Sequence, residues 1–166
     1  GLDDDLLDRV FAARGITEPA QLERGLSNLL SPADLPEIDQ AAKRLADAVV
    51  EDQKILIVGD FDADGATSVA LCLLALRAMG ARHVDFLVPN RFDYGYGLSP
   101  EIVLLAATME PRVIVTVDNG VASVDGVALA NELGIDVVVT DHHLPGDVLP
   151  NAFALVNPNV GGSSFG

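Results

Sequence analysis

Residues Ile55 to Gly65 read ILIVGDFDADG, a short apolar run that empties into three aspartates at alternate positions, Asp60, Asp62 and Asp64. Four branched aliphatic residues bounded by a glycine form the pattern of a strand buried on both faces. Carboxylates crowded at its end raise one another's pKa or recruit a counter-charge, and the usual counter-charge for clustered aspartates is a hard divalent cation. A calcium loop of the helix–loop–helix kind opens with the same D-x-D-x-D-G spacing, but two features argue against it. Counting Asp60 as position 1, position 12 is Leu71 where a bidentate Glu is required, and the preceding run is a strand instead of a helix. A turn decorated with aspartates is the plainer alternative. It leaves the crowding of three charges unexplained.

Downstream of this stretch, strand, loop and helix alternate. A helix is predicted from about Ala66 to Met79, stopped by Gly80; Val84 to Val88 is the second strand, and Ser99-Pro100-Glu101 opens a helix with an N-cap serine and a first-turn proline. Val113 to Val117 is the third strand, Ser123 to Leu133 a helix ended by Gly134, Val137 to Thr140 the fourth strand and Ala154 to Val156 a short fifth. Near-continuous aliphatic strands alternating with helices imply an α/β fold: a parallel, Rossmann-like sheet flanked by helices. No GxGxxG follows the first strand, which disfavours a dinucleotide site of the usual kind.

Upstream, residues 1–51 are predicted to be a small helical amino-terminal segment without chemistry of its own. Leu6, Leu7, Val10 and Phe11 recur at helical spacing before Gly15, and a short helix is expected from about Pro19 to Leu26. A third runs from roughly Glu37 to Glu51, behind the breaks at Pro32 and Pro36. The expected division is therefore 1–51 and 52–166.

The 166 residues suffice for one full core. Hydrophobic residues make up 49% and the mean hydropathy is +0.34, values of a globular chain and not of a disordered one. The stretch Ala66 to Leu76 is too short to cross a bilayer, and the opening GLDDDLLDR carries acids where a signal peptide carries bases. The single cysteine, Cys72, sits in an apolar helical run; it excludes an intramolecular disulfide and fits core packing and a cytoplasmic location. Ten basic against 25 acidic residues give a formal charge of −15, which argues against this segment alone gripping a polyanion.

Two more strands end in polar clusters: Asp118-Asn119-Gly120 follows the third and Asp141-His142-His143 the fourth. In an open parallel sheet these loops and the first one emerge on the same carboxyl edge. Five aspartates and two histidines there offer hard oxygens and imidazole, a set suited to two Mn²⁺ or Mg²⁺ ions. Two such ions hold a phosphate and activate a water for in-line attack, the chemistry of phosphoester hydrolysis. Asp118-Asn119-Gly120 alone is an ordinary turn, whereas adjacent histidines after a buried strand are a stronger sign. Neighbours on an extended backbone point apart, so one histidine is expected on the metal and the other toward the phosphate. His83, on the opposite edge, is expected to be structural.

GDFDADGATS, TVDNG and TDHHLPG, in this order, resemble the first three motifs of the DHH phosphoesterase superfamily. VPNRFDYGYGLSP and the later NPN resemble, more narrowly, the bacterial RecJ family of single-strand-specific 5′→3′ DNA exonucleases. The likeness runs from roughly Lys54 to the end of the chain. It implies that Asp62, Asp64, Asp118 and His142 are metal ligands, with Asp60 and Asp141 supporting the cluster. Asp60 belongs to the metal side, and Asp141 to the catalytic side with His143, which would sit beside the scissile phosphate. Arg91 matches the family's arginine in the PNR segment, where a guanidinium holds a phosphate bidentately, and Asn119 is taken with it as substrate-binding.

The activity so implied is metal-dependent release of 5′-mononucleotides from single-stranded DNA in repair and recombination. The family's fourth motif with a further metal-binding Asp, its second core domain and its nucleic-acid-binding barrel find no match before Gly166. The chain is therefore expected to be the amino-terminal portion of a longer protein whose DNA-gripping surface lies elsewhere. The motifs by themselves reach only a two-metal phosphoesterase. Oligoribonuclease, pyrophosphatase and cyclic-dinucleotide phosphodiesterase stay open, as does a non-catalytic scaffold of the same fold. Retention of every ligand in the first three motifs weighs against the scaffold.

Overall fold

The computed structural model describes residues 2–23, 25, 29–90 and 95–161. The chain forms two compact units, Gly1–Ser31 and Pro32–Gly166. In the first, helix α1 (Leu2–Ala13) ends where Gly15 takes a φ of 76° and the Ile16 N–H returns to the Phe11 carbonyl at 3.0 Å. Of the short helix expected from about Pro19 to Leu26, the described residues show a 3₁₀ turn over Pro19–Leu22, and Arg24 and Leu26 lie outside them. Gln21 Oε1 closes its start by accepting the N–H groups of Thr17 and Glu18 at 2.8 and 2.9 Å.

The second unit is built on five strands, β1 (Ile55–Val58), β2 (Val84–Leu87), β3 (Val113–Val117), β4 (Asp136–Thr140) and β5 (Ala154–Val156). Every pairing is parallel and the order is β2-β1-β3-β4-β5. Among the described residues its α-helices are α2 (Ile38–Val50), α3 (Ala63–Ala78), α4 (Pro100–Ala107) and α5 (Val124–Glu132). The alternating pattern thus predicted the α/β class and each strand. All residues of β1, β3 and β5 are buried, because helices cover both faces.

Side chains of alternate strand residues feed the two faces. Leu56, Val58, Ile114, Val137, Val139 and Leu155 pack with α4 and α5. Ile55, Ile57, Val113, Val115, Val138 and Val156 pack with α2 and α3. The sequence grouped α2 with the amino-terminal segment, yet it lies in the second unit: Ala41 and Ala48 are buried on the sheet, and Arg44, only 8% exposed, donates to Asp136 Oδ2 at 2.7 Å. Composition separates α2 from the strands; its apolar face joins them.

Helix α3 begins at Ala63, one turn before the expected Ala66. Asp62 is its N-cap, and Asp62 Oδ1 accepts the Gly65 N–H at 3.0 Å. A short polar residue is the preferred cap and an acid in the first turn suits the helix dipole, so the DADG run starts the helix instead of delaying it. The chain steps from β1 outward to β2 and back across to β3, so the strand order reverses between β1 and β3. Loops leaving there diverge and open a crevice at the carboxyl edge. Among the described residues no helix is long and apolar enough to cross a membrane.

Candidate metal centre at the carboxyl edge

Ladder hydrogen bonds continue one residue past three strands. The N–H groups of Gly59, Asp118 and Asp141 donate to the carbonyls of Leu87, Thr140 and Val156 at 3.1, 3.0 and 3.1 Å. This fixes where the three polar clusters begin. Asp118 then takes a φ of 62°, a left-handed conformation that is uncommon outside glycine and easiest for Asn and Asp. Two groups of potential ligands meet there, Asp62 with Asp64 and Asp118, and Asp118 with His142 and His143, the ligand atoms of each lying within 4.8 Å of one another. Asp118 belongs to both.

The donor set fits a hard divalent cation. Burial first, and then Asp64 and Asp62, push the Asp118 carboxyl above its ordinary value, against the lowering effect of the His142 bond. Repulsion of this kind is what a divalent cation relieves. His142 Nε2 lies 2.9 Å from Asp118 Oδ1. Asp62 has one oxygen on the helix cap, and Asp64 stands exposed in the first turn of α3.

Asp141 plays a different part. It is 8% exposed; Oδ1 accepts the His142 and His143 N–H groups at 2.7 and 3.1 Å and pairs with His143 Nδ1 at 2.7 Å, while Oδ2 accepts the Val121 N–H at 2.9 Å. Burial alone raises its carboxyl, but the bonds from Val121, His143 and His142 outweigh burial and hold it below the usual value. Both oxygens accept hydrogen bonds, and Oδ1 ties Asp141 to the His143 ring. The His143 ring is raised by its bond to Asp141, against partial burial, with Asp118 and Asp64 adding to the rise. That bond puts a proton on Nδ1 and leaves Nε2 outside the pairing with Asp141. The two rings do not diverge as expected: their centroids are 4.7 Å apart and both come within reach of Asp118.

Other expected residues fall elsewhere. Asp60 is in neither ligand group among the described residues; its Oδ1 accepts the Phe61 N–H at 2.8 Å, and the residue lines a small cavity with Gly59, Pro89 and Asn119. Asn119 was expected on the substrate, yet it is 2% exposed and its amide donates to the Val58 and Val117 carbonyls at 3.1 and 2.9 Å. It braces the ends of β1 and β3, because a buried amide is stable only when its hydrogens are used. Arg91 lies outside the described residues. His83 sits at the other end of the sheet beside Asp52, with its Nε2 3.4 Å from Asp52 Oδ2.

Three residues of the site carried no assigned role in the sequence. Asn157 Nδ2 donates to the His143 carbonyl at 2.9 Å and Asn159 Nδ2 to the His142 carbonyl at 2.7 Å, so the NPN segment clamps the histidine loop. Tyr96 Oη donates to the Asp118 carbonyl at 3.1 Å. The available signals were two asparagines around a proline just past a strand, and a tyrosine between two glycines.

Residues 54–165 match the model of the DHH family, N-terminal domain. The chain is 55% identical over 160 residues to the single-stranded-DNA-specific exonuclease RecJ of Dickeya dadantii. It is 51% identical over 160 residues to that of Escherichia coli. Each alignment covers 96% of this chain and 28% of the relative, so the chain spans just over a quarter of the length of these proteins. A crystal structure of exonuclease RecJ bound to manganese superposes with a TM-score of 0.73 at 33% identity, covering 81% of this chain and 34% of that one. RecJ of Thermus thermophilus in complex with Mn²⁺ superposes at 0.71 and 30% identity, covering 92% of this chain and 21% of that one.

Proposed function

The chain belongs to the DHH family, and from that premise we propose that it carries the metal-binding part of a single-stranded-DNA-specific 5′→3′ exonuclease that releases 5′-mononucleotides. The observation that supports this most directly is the pair of ligand groups joined at Asp118. When bound there, two Mn²⁺ or Mg²⁺ ions supply Lewis-acid polarisation of the phosphate and activation of a water.

In this reading Asp62, Asp64 and Asp118 hold one ion, and Asp118 with His142 holds the other. His143, oriented by Asp141, presents Nε2 to the scissile phosphodiester. Arg91 engages a phosphate of the strand through its guanidinium. All of these groups lie in residues 52–166; among the described residues no ligand is assigned to 1–51, of which α2 packs against the sheet. With a charge of −15 this chain relies on the rest of the protein for most of the grip on DNA. We place the protein in the cytoplasm, on the single cysteine.

The test pairs calorimetric titration of Mn²⁺ into this chain with digestion of 5′-labelled single-stranded DNA by the full-length protein. Ion binding by the chain and digestion by the full-length protein, with both lost in Asp64→Ala, is the expected result. Absence of ion uptake together with absence of digestion overturns the reading and favours a scaffold; hydrolysis of short RNA or pyrophosphate in place of DNA redirects it within the family.

A further inference from the structure

Tyr96 stands between two glycines of positive φ, Gly95 at 77° and Gly97 at 78°. Left-handed turns on both sides let the backbone present a single side chain sharply toward the sheet edge. The Tyr96 hydroxyl donates to the Asp118 carbonyl at 3.1 Å and lies 3.3 Å from His143 Nδ1; the two rings meet edge to face, 5.9 Å between centroids and 78° between planes. One side chain therefore joins the ends of β3 and β4. The hydroxyl also remains a donor throughout the accessible range, since burial, followed by Asp141, Asp60, Asp118 and Asp62, pushes it up to about 12.

The important contact is with Asp118, the residue shared by both ligand groups. Its φ of 62° is uncommon for a residue with a side chain, although aspartate adopts it more readily than most. The Asp118 N–H stays in the ladder, on the Thr140 carbonyl at 3.0 Å. The change of direction at its Cα therefore falls on its own carbonyl, and the group that receives that carbonyl is the Tyr96 hydroxyl. Asn119, next in the chain, is pinned independently by its amide bonds to Val58 and Val117. Asp118 is thus held on three sides, by the ladder, by the Asn119 brace and by Tyr96.

We propose that Tyr96 is a positioning residue of the metal centre: its hydroxyl holds the Asp118 carbonyl, and with it the left-handed backbone that turns the Asp118 carboxylate toward both ligand groups, while its ring confines His143. This rests on the metal reading above. It assigns the glycine–tyrosine–glycine segment to shaping the site, with no contact to substrate required.

Tyr96→Phe removes one oxygen and keeps the ring. Three readouts apply to the wild-type and variant chains: Mn²⁺ affinity by calorimetry, the Asp118 HN–Hα coupling and backbone shifts in the metal-free chain, and the urea midpoint. Loss of an outer partner of a ligand is expected to weaken Mn²⁺ binding roughly tenfold. The Asp118 signals should move toward extended-backbone values, with the urea midpoint little changed. Unchanged affinity overturns the proposal, and so does weaker binding with unmoved Asp118 signals or in step with a lowered urea midpoint. A wild-type chain that takes up no Mn²⁺ overturns the metal reading and this inference with it, so the wild-type arm separates the two failures.

Discussion

Asp118 combines a left-handed backbone with a carboxyl raised by burial and by two neighbouring acids. Because its folded-state value lies above the unfolded one, folding disfavours the ionised form: the penalty is absent below the ordinary value of 3.8 and complete above the folded one. Asp118→Asn removes that penalty, suits φ 62° at least as well, and keeps an oxygen for His142. The metal-free variant is expected to be more stable than wild type at pH 7, by about 0.5–1 kcal/mol. The gain should vanish near pH 3 in urea titrations, and Mn²⁺ binding should be lost at any pH. Equal stability of the two chains at pH 7 contradicts the electrostatic account. Asp141→Asn acts in the opposite sense. It puts an NH₂ where N–H donors converge and should cost about 2–3 kcal/mol. Removing the partner charge should also return the His143 ring toward its ordinary 6.5, followed by ¹⁵N NMR of the metal-free chain. In wild type, the stability linked to His143 is complete below 6.5 and declines as pH rises through its higher folded-state value; the variant should lack that decline.

Helix α3 shows how an element serves a site. Its first turn contains Asp64 and its cap is Asp62, so its start sets the spacing of two candidate ligands. A β-carbon built at Gly65 falls 2.6 Å from the Asp60 carbonyl oxygen and 2.8 Å from the Asp60 carbonyl carbon, contacts that backbone atoms cannot yield cheaply. Exchange of glycine for alanine inside a helix is ordinarily favourable by about 0.5–1 kcal/mol. Here the close approach reverses the sign. Gly65→Ala is expected to destabilise the chain by about 1–3 kcal/mol and to weaken Mn²⁺ binding by displacing the Asp60–Asp64 turn. Urea unfolding and calorimetry check both; a stabilised variant contradicts the packing described for this turn. Elsewhere α3 is apolar on more than its sheet-facing side, with Leu71 and Leu74 each 68% exposed in this chain.

For the molecule as a whole, a charge of −15 and a concentration of carboxylates at one edge oppose compaction. Divalent ions that bind the folded chain alone stabilise it by mass action, about 2.7 kcal/mol at a free concentration 100 times the dissociation constant. The melting temperature should rise with Mn²⁺ and fall back on chelation, and Asp64→Ala should abolish the rise. Added monovalent salt should also stabilise the metal-free chain modestly, by screening the same repulsion. A rise with Mn²⁺ that persists in Asp64→Ala would place the ion elsewhere.

The sequence by itself determined the α/β class, the five strands and the convergence of three polar clusters on one edge. The reason is local: aliphatic runs of strand length separated by helical periodicity allow few arrangements other than a parallel sheet, and a parallel sheet puts all its strand-to-helix loops on one side. The motifs also named the residues that meet there. Only the tertiary structure decided how their atoms are used. Asp60 and Asp64 look equivalent in DFDADG, yet Asp64 joins a ligand group and Asp60 lines a separate cavity, because α3 starts between them. Asp141 reads as a member of the catalytic pair with His143, and the fold adds that Val121, 20 residues upstream, donates to one of its oxygens. Asn119 reads as a substrate group, and the fold adds that Val58, 61 residues upstream, takes one of its hydrogens. Tyr96 and the two asparagines after β5 act wholly across such separations. Periodicity and composition record what each segment prefers; which oxygen or proton remains for chemistry depends on partners that only the folded sheet brings together.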